Sequence, residues 1–130
     1  MADEGLKVSQ NNPRDDSRSA APLTDLDALI KAIAHLARRD ILEWLKQPHK
    51  YFPEQHHGME LGVCLSEIAR RCGLSQSTVS THMAQLKRAG LVEMQSAGTF
   101  RFFKRNEAAI TLFLQSLAQH LEASAPNNDR

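Results

Sequence analysis

The stretch from Leu65 to Val92, "LSEIARRCGLSQSTVSTHMAQLKRAGLV", constrains this chain more than any other. Ile68, Leu74, Val79, Met83 and Leu86 have the spacing of buried residues on two short consecutive helices. The first helix is expected over Ser66–Cys72, with Ser66 as its N-cap. The second is expected from Ser75, its cap, to about Ala89, where Gly90 stops it. Two helices that cross at ~90–120° through a short turn touch closely, so a small residue is needed at the contact. Ala69 fills that position. The turn also needs a residue that tolerates positive φ, and Gly73 follows four residues later. These are the steric requirements of a helix-turn-helix.

The second helix is polar where it is not buried. Ser75, Gln76, Ser77, Thr78, Ser80, Thr81 and His82 lie in or before its first two turns. Such small hydrogen-bonding side chains suit base edges and phosphates in a major groove. Gln76, Thr81 and His82 are the expected base readers. Ser75, Ser77, Thr78 and Ser80 are expected to contact phosphates or place the helix. "LVEMQ" and "TFRFFK" flank "SAG", the pattern of a β-hairpin with a glycine turn. Arg101 and Lys104 on its second strand are expected at the backbone or in the minor groove. From Glu60 to Arg105, seven Lys or Arg stand against three Glu, a local charge of +4 in a chain of net +1. Solvated helices share that basicity, so it fits a phosphate-contacting surface without requiring one. A generic helical hairpin with a polar face is one alternative, and a protein-interaction module of the same winged fold that does not bind DNA is another. His82 near Ser75 or Ser80 lacks a partner acid and an oxyanion loop, so no enzyme is expected.

The remaining segments complete one domain in 130 residues. Residues 1–23 are polar and aperiodic, a disordered tail. Thr24 or Asp25 is expected to cap an amphipathic helix carrying Leu26, Leu29, Ile30, Ile33, Ala37, Ile41 and Leu45, with a break near His35 and an end at Pro48. "QPHKYFPEQHHGMELG" reads as a long loop. The last helix starts near Asn106, with Ile110, Phe113, Leu114, Leu117 and Leu121 on one stripe. The fold class is mainly α with a small β-hairpin wing, over residues 24–122, and 123–130 form a frayed end. No apolar run reaches the ~18 residues of a membrane span, and the start does not read as a signal peptide. A cytoplasmic protein with free thiols is expected, without a membrane partner.

The Leu65–Val92 block strongly resembles the winged-helix repressors of the ArsR (arsenic-resistance regulator) family. "IKAIAHLARRDILEWL" looks like their first helices, with Arg38 matching the usual arginine. The resemblance extends over roughly residues 24–121. It implies a homodimer built from the first and last helices, a recognition helix over Ser75–Ala89 and a wing around Gly98. It also implies a repressor, released from an inverted-repeat DNA operator by a signal that the sequence does not name.

Two sensing patterns of that family can be laid on this chain. Cys64 falls on the first position of a Cys-x-Cys pair, but Ser66 occupies the second, and a hydroxyl poorly replaces a thiolate for a soft ion. A one-thiolate site would need His56, His57 or Glu60 as further ligands. The C-terminal pattern falls on Glu107, Ala109, His120 and Ala123, two of them alanine. No metal and no cofactor are expected. Cys64 stays a candidate sensing thiol, favoured as thiolate if it opens a helix. Cys72 is expected as a small buried hydrophobe. If helix joins the two, they stand ~12 Å apart, too far for a disulfide.

Overall fold

The computed structural model describes residues 26–55, 58 and 60–123. The tail over 1–23, the Thr24 and Asp25 caps, His56, His57 and the chain from 124 onward lie outside the described residues. In chain order the elements are α1 (Leu26–Ala32), α2 (Leu36–Lys46), α3 (Pro48–Tyr51), β1 (Val63–Cys64), α4 (Leu65–Cys72), α5 (Gln76–Arg88), β2 (Val92–Ala97), β3 (Phe100–Arg105) and α6 (Glu107–Leu121).

The amphipathic run at the start breaks where expected. Helix α1 ends at Ala32, and His35 becomes the N-cap of α2 without a side-chain cap bond. Arg38 holds this corner. Its Nη1 donates to the carbonyls of Lys31 and Ala32 at 3.5 and 3.4 Å. Both carbonyls lie in the last turn of α1, where acceptors lack intrahelical partners, and the Lys31 carbonyl also accepts from the Ala34 N–H at 3.2 Å. The expected loop after Lys46 is partly helical. Pro48 starts α3, where its missing N–H costs nothing, and Phe52 drops into the core.

The core is built mainly from α2, α4, α5 and the sheet. Ile41, Val63, Ile68, Val79, Met83, Leu86 and Leu91 are its most deeply buried side chains. The expected turn is present: Gly73 has φ 69°, and its N–H bonds back to Ala69 and Arg70. Leu74 departs from expectation. It is 41% exposed, because the left-handed turn carries it outward before Ser75 starts α5.

The hairpin is joined by a third strand, in the order β1–β3–β2, all antiparallel. Val63 pairs with Phe103 and Cys64 with Phe102. This pairing moves the start of α4. Cys64, not Ser66, is its N-cap, and buried Leu65 is its first residue. Gly62 makes the approach feasible. At φ 111° it brings its α-carbon so near β3 that an added Cβ would lie 2.3 Å from the Phe103 carbonyl oxygen. Beyond β1, the Gln55 amide accepts from the Cys64 N–H at 2.8 Å and donates to the Gly62 carbonyl at 3.1 Å.

Helix α6 starts at Asn106, whose Oδ1 accepts from the Ala109 N–H. It packs on α1 within the chain, with Leu29 and Phe113 in the shared core. Its expected apolar stripe divides. Phe113 is buried and Ile110 and Leu117 are half-buried against the core, whereas Leu114 and Leu121 face outward with Leu112. Ile30 and Leu36 are exposed as well.

Candidate nucleic-acid interface

Helix α5 is anchored by Val79, Met83 and Leu86, which fix its rotation about its own axis. At about 100° per residue, the opposite side is led by Ser77, Thr81, Ala84 and Arg88, all exposed. Arg88 and Ala84 were not singled out in the sequence. Their i, i+4, i+7, i+11 spacing from Ser77 was the available signal.

The seven polar candidates at the start of α5 do not form one face. Ser75 is the N-cap, its Oγ accepting from the Thr78 N–H at 3.1 Å and donating to the Thr78 hydroxyl at 2.9 Å. Ser77 Oγ lies 3.2 Å from the same oxygen. Thr81 donates to the Ser77 carbonyl at 3.2 Å and leaves its methyl and oxygen at the surface. Gln76 and half-buried Ser80 lie on one flank, and His82 lies on the other, against α2. Sequence periodicity located the polar residues, but the anchoring side chains decide which of them lead.

His82 is not a free reader. Arg38 Nε donates to its Nδ1 at 3.0 Å, and the His35 ring stands edge-on at 5.3 Å. Because the guanidinium is always a donor, the neutral His82 ring carries its proton on Nε2. Burial lowers the His82 pKa from the ordinary 6.5, and the charges of Arg38 and then His35 lower it further.

The basic residues separate in the same way. Arg70 is engaged by Glu67, with Glu54 at 3.7 Å. The Arg71 guanidinium lies 5.0 Å over the Trp44 ring and 4.8 Å over the Tyr51 ring. Arg105 donates to both Glu107 oxygens and to the Leu42 carbonyl at 3.0 Å, tying β3 to α6 and α2. These three serve the fold. Lys87, Arg88, Arg101 and Lys104 are exposed. Arg101 sits near the hairpin tip opposite Ser96, while Lys104 sits near its base opposite Glu93. Three residues apart on one strand, they point to opposite faces. The structure does not bring them together.

Cys64 is 4% exposed, with Sγ 3.3 Å from Ser66 Oγ. Burial shields the thiol, and thiol reactivity depends on access as well as thiolate character. Cys72 is half-buried, and its pKa is raised by burial and then by Asp40, so it stays a neutral thiol. Neither is in a disulfide. Among the described residues no three His, Cys, Asp or Glu side chains gather as a metal site. Glu60 and His120 are exposed, and Glu107 is held by Arg105.

Comparison with known proteins gives this geometry a context. Residues 63–94, from β1 into β2, match the model of bacterial regulatory proteins of the arsR family. The uncharacterised HTH-type transcriptional regulator YbzH of Bacillus subtilis is 38% identical over 85 residues, 63% of this chain and 84% of that protein. This chain belongs to the ArsR family. Other ArsR-type folds superpose on it. The homodimeric winged helix-turn-helix DNA-binding domain of Mb0332 from Mycobacterium bovis is 26% identical, with a TM-score of 0.51 over 82% of this chain and all of that one. The ArsR-family regulator RHA00566 shares the fold at 17% identity, with a TM-score of 0.55 over 77% of this chain and 93% of that one. In ArsR terms, α4 and α5 are the helix-turn-helix and β2–β3 is the wing. The family is one of transcriptional regulators, not enzymes. No helix among the described residues is long and apolar enough to cross a membrane.

Proposed function

We propose that this ArsR-family regulator is a homodimeric repressor that inserts α5 into successive major grooves of an inverted-repeat operator and is released by a signal. The observation that carries the reading is the exposed line Ser77–Thr81–Ala84–Arg88 on a helix locked from behind by Val79, Met83 and Leu86. Small side chains there let the helix backbone approach the bases closely, and Arg88 supplies a cation at the far end. Thr81 is the leading base contact, while Gln76 sits on the flank at the start of the helix. Ser75, Ser77, Thr78 and Ser80 place the helix or meet phosphates, and Arg101 at the wing tip meets the backbone or minor groove. Lys104, at the wing base, contributes through the general field. The homodimeric state of the Mb0332 domain supports pairing here, as do outward-facing Ile30, Leu36, Leu112, Leu114 and Leu121. A twofold dimer requires half-sites about one helical turn apart.

Selection of bound duplexes from a random library, followed by titration at two salt concentrations, tests the reading. Enrichment of an inverted repeat, with Thr81→Ala relaxing preference at one position at a cost of ~1–3 kcal/mol, is the expected result. No enrichment together with salt-insensitive binding refutes it. Light scattering that shows a stable monomer at micromolar concentration refutes the dimer.

A further inference from the structure

We propose that His35, Arg38 and His82 form a seat for one DNA backbone phosphate at the wall of the groove, and that filling it takes up a proton. The proposal rests on the reading of α5 as the groove helix. An α-helix with side chains is ~10–12 Å across, and the major groove is ~12 Å wide. Side chains that lead the helix therefore meet bases, and those near a right angle to them meet the sugar-phosphate walls. His82 follows Thr81 by one residue, about 100° round the helix, on the flank against α2. Its position makes it a wall contact rather than a base reader.

Three donor groups converge there from two elements. His82 presents Nε2–H, because Nδ1 is taken by Arg38. Arg38 is fixed by the Lys31 and Ala32 carbonyls through Nη1, which leaves its Nη2 amino group for an anion. His35 caps no helix amide with its side chain, and its ring stands 5.3 Å from that of His82. The charged or titratable groups acting on His82 are Arg38 and His35, both from α2 and its cap. From α4 and β2, which also pack on α5, no charge acts on it. Both neighbours disfavour a proton on His82, and among the described residues no carboxylate offsets them. An incoming phosphate supplies the missing negative charge. One proton from solvent then binds His82 Nδ1. The Arg38 Nε–H releases that nitrogen and turns to a phosphate oxygen. One N–H bond forms, and no other covalent bond changes.

The test uses the full chain and a mixed-sequence duplex, followed by fluorescence anisotropy at constant ionic strength between about pH 6 and pH 8. Wild-type affinity is expected to rise as pH falls, by up to about tenfold per unit, the limit for one proton. His82→Gln should lose most of that slope. Arg88→Ala should bind more weakly at every pH and keep it. The NMR titration of the His82 ring should move to higher pH when duplex is added. A His82→Gln slope equal to wild type overturns the seat, as does a His82 titration that stays in place or moves down. If wild type binds the duplex without any pH dependence, the seat alone fails. If wild type binds no duplex at any pH, the DNA-binding reading fails and takes the seat with it.

Discussion

Gly62→Ala should damage this fold more than its size suggests. Two separate penalties meet at the position. The backbone sits at φ 111°, outside the regions open to L-residues, which costs about 1–3 kcal/mol. The added Cβ would also lie 2.3 Å from the Phe103 carbonyl oxygen and 2.6 Å from its carbon. Both atoms are main chain in the central strand, so relief requires β1 to move off β3. Overfilling of a packed site costs about 1–3 kcal/mol more. The combined loss is about 2–6 kcal/mol, a large part of the ~5–15 kcal/mol that a domain holds. Gly73→Ala is the internal control. Its φ of 69° is also left-handed, but nothing lies within 4 Å of its Cβ, so only the ~1–2 kcal/mol conformational cost applies. Urea unfolding of both variants at one protein concentration, followed by circular dichroism, compares them directly. If Gly62→Ala falls within ~0.5 kcal/mol of Gly73→Ala, the assignment of β1 as tightly docked on β3 is wrong.

Leu86→Ala, at a fully buried position on α5, should cost about 2–5 kcal/mol in the same assay. Arg71→Ala removes a cation held between two rings and should cost stability by about 1 kcal/mol while leaving the salt dependence of DNA binding unchanged. Arg88→Ala should do the reverse, with the salt slope lowered by ~1 at unchanged stability. For the free chain, the depressed His82 pKa sets the sign of a pH effect. The unfolded chain takes up this proton near the ordinary 6.5 and the folded chain only at lower pH, so stability is full above that value and falls on acidification through the window below it. Urea midpoints on either side of pH 6.5 should show a decline that is smaller in His82→Gln.

Residues 65–92 were legible because their elements are local. Ala69, Gly73, Ser75 and Gly90 act through their immediate neighbours, and the periodicity around them reports burial directly. Strand β1 was not legible. Two residues carry no alternation, and their strand character comes wholly from pairing with β3, forty residues away. That pairing also moved the cap of α4 from Ser66 to Cys64. Helix α3 hid inside a proline- and histidine-rich stretch, since proline marks a first turn as readily as a stop. The candidate interface was legible in composition but not in rotation. His82 has the same hydrogen-bonding chemistry as its neighbours in sequence. Only the approach of Arg38, 44 residues earlier, reassigns it. The local charge misled in a similar way, because Arg70, Arg71 and Arg105 are committed to partners inside the chain.

The Gln55 amide has a consequence for how copies of this molecule can meet. A strand at the rim of a sheet offers N–H and C=O groups that another chain can extend. On β1 the outward pair is the Cys64 N–H and the Gly62 carbonyl, two residues apart, the spacing that one peptide group of a neighbouring strand would satisfy. One side-chain amide, with its oxygen on the first and its nitrogen on the second, serves as that peptide group. The ladder is closed by a single residue rather than by another strand. Growth of the sheet from chain to chain is blocked at this rim.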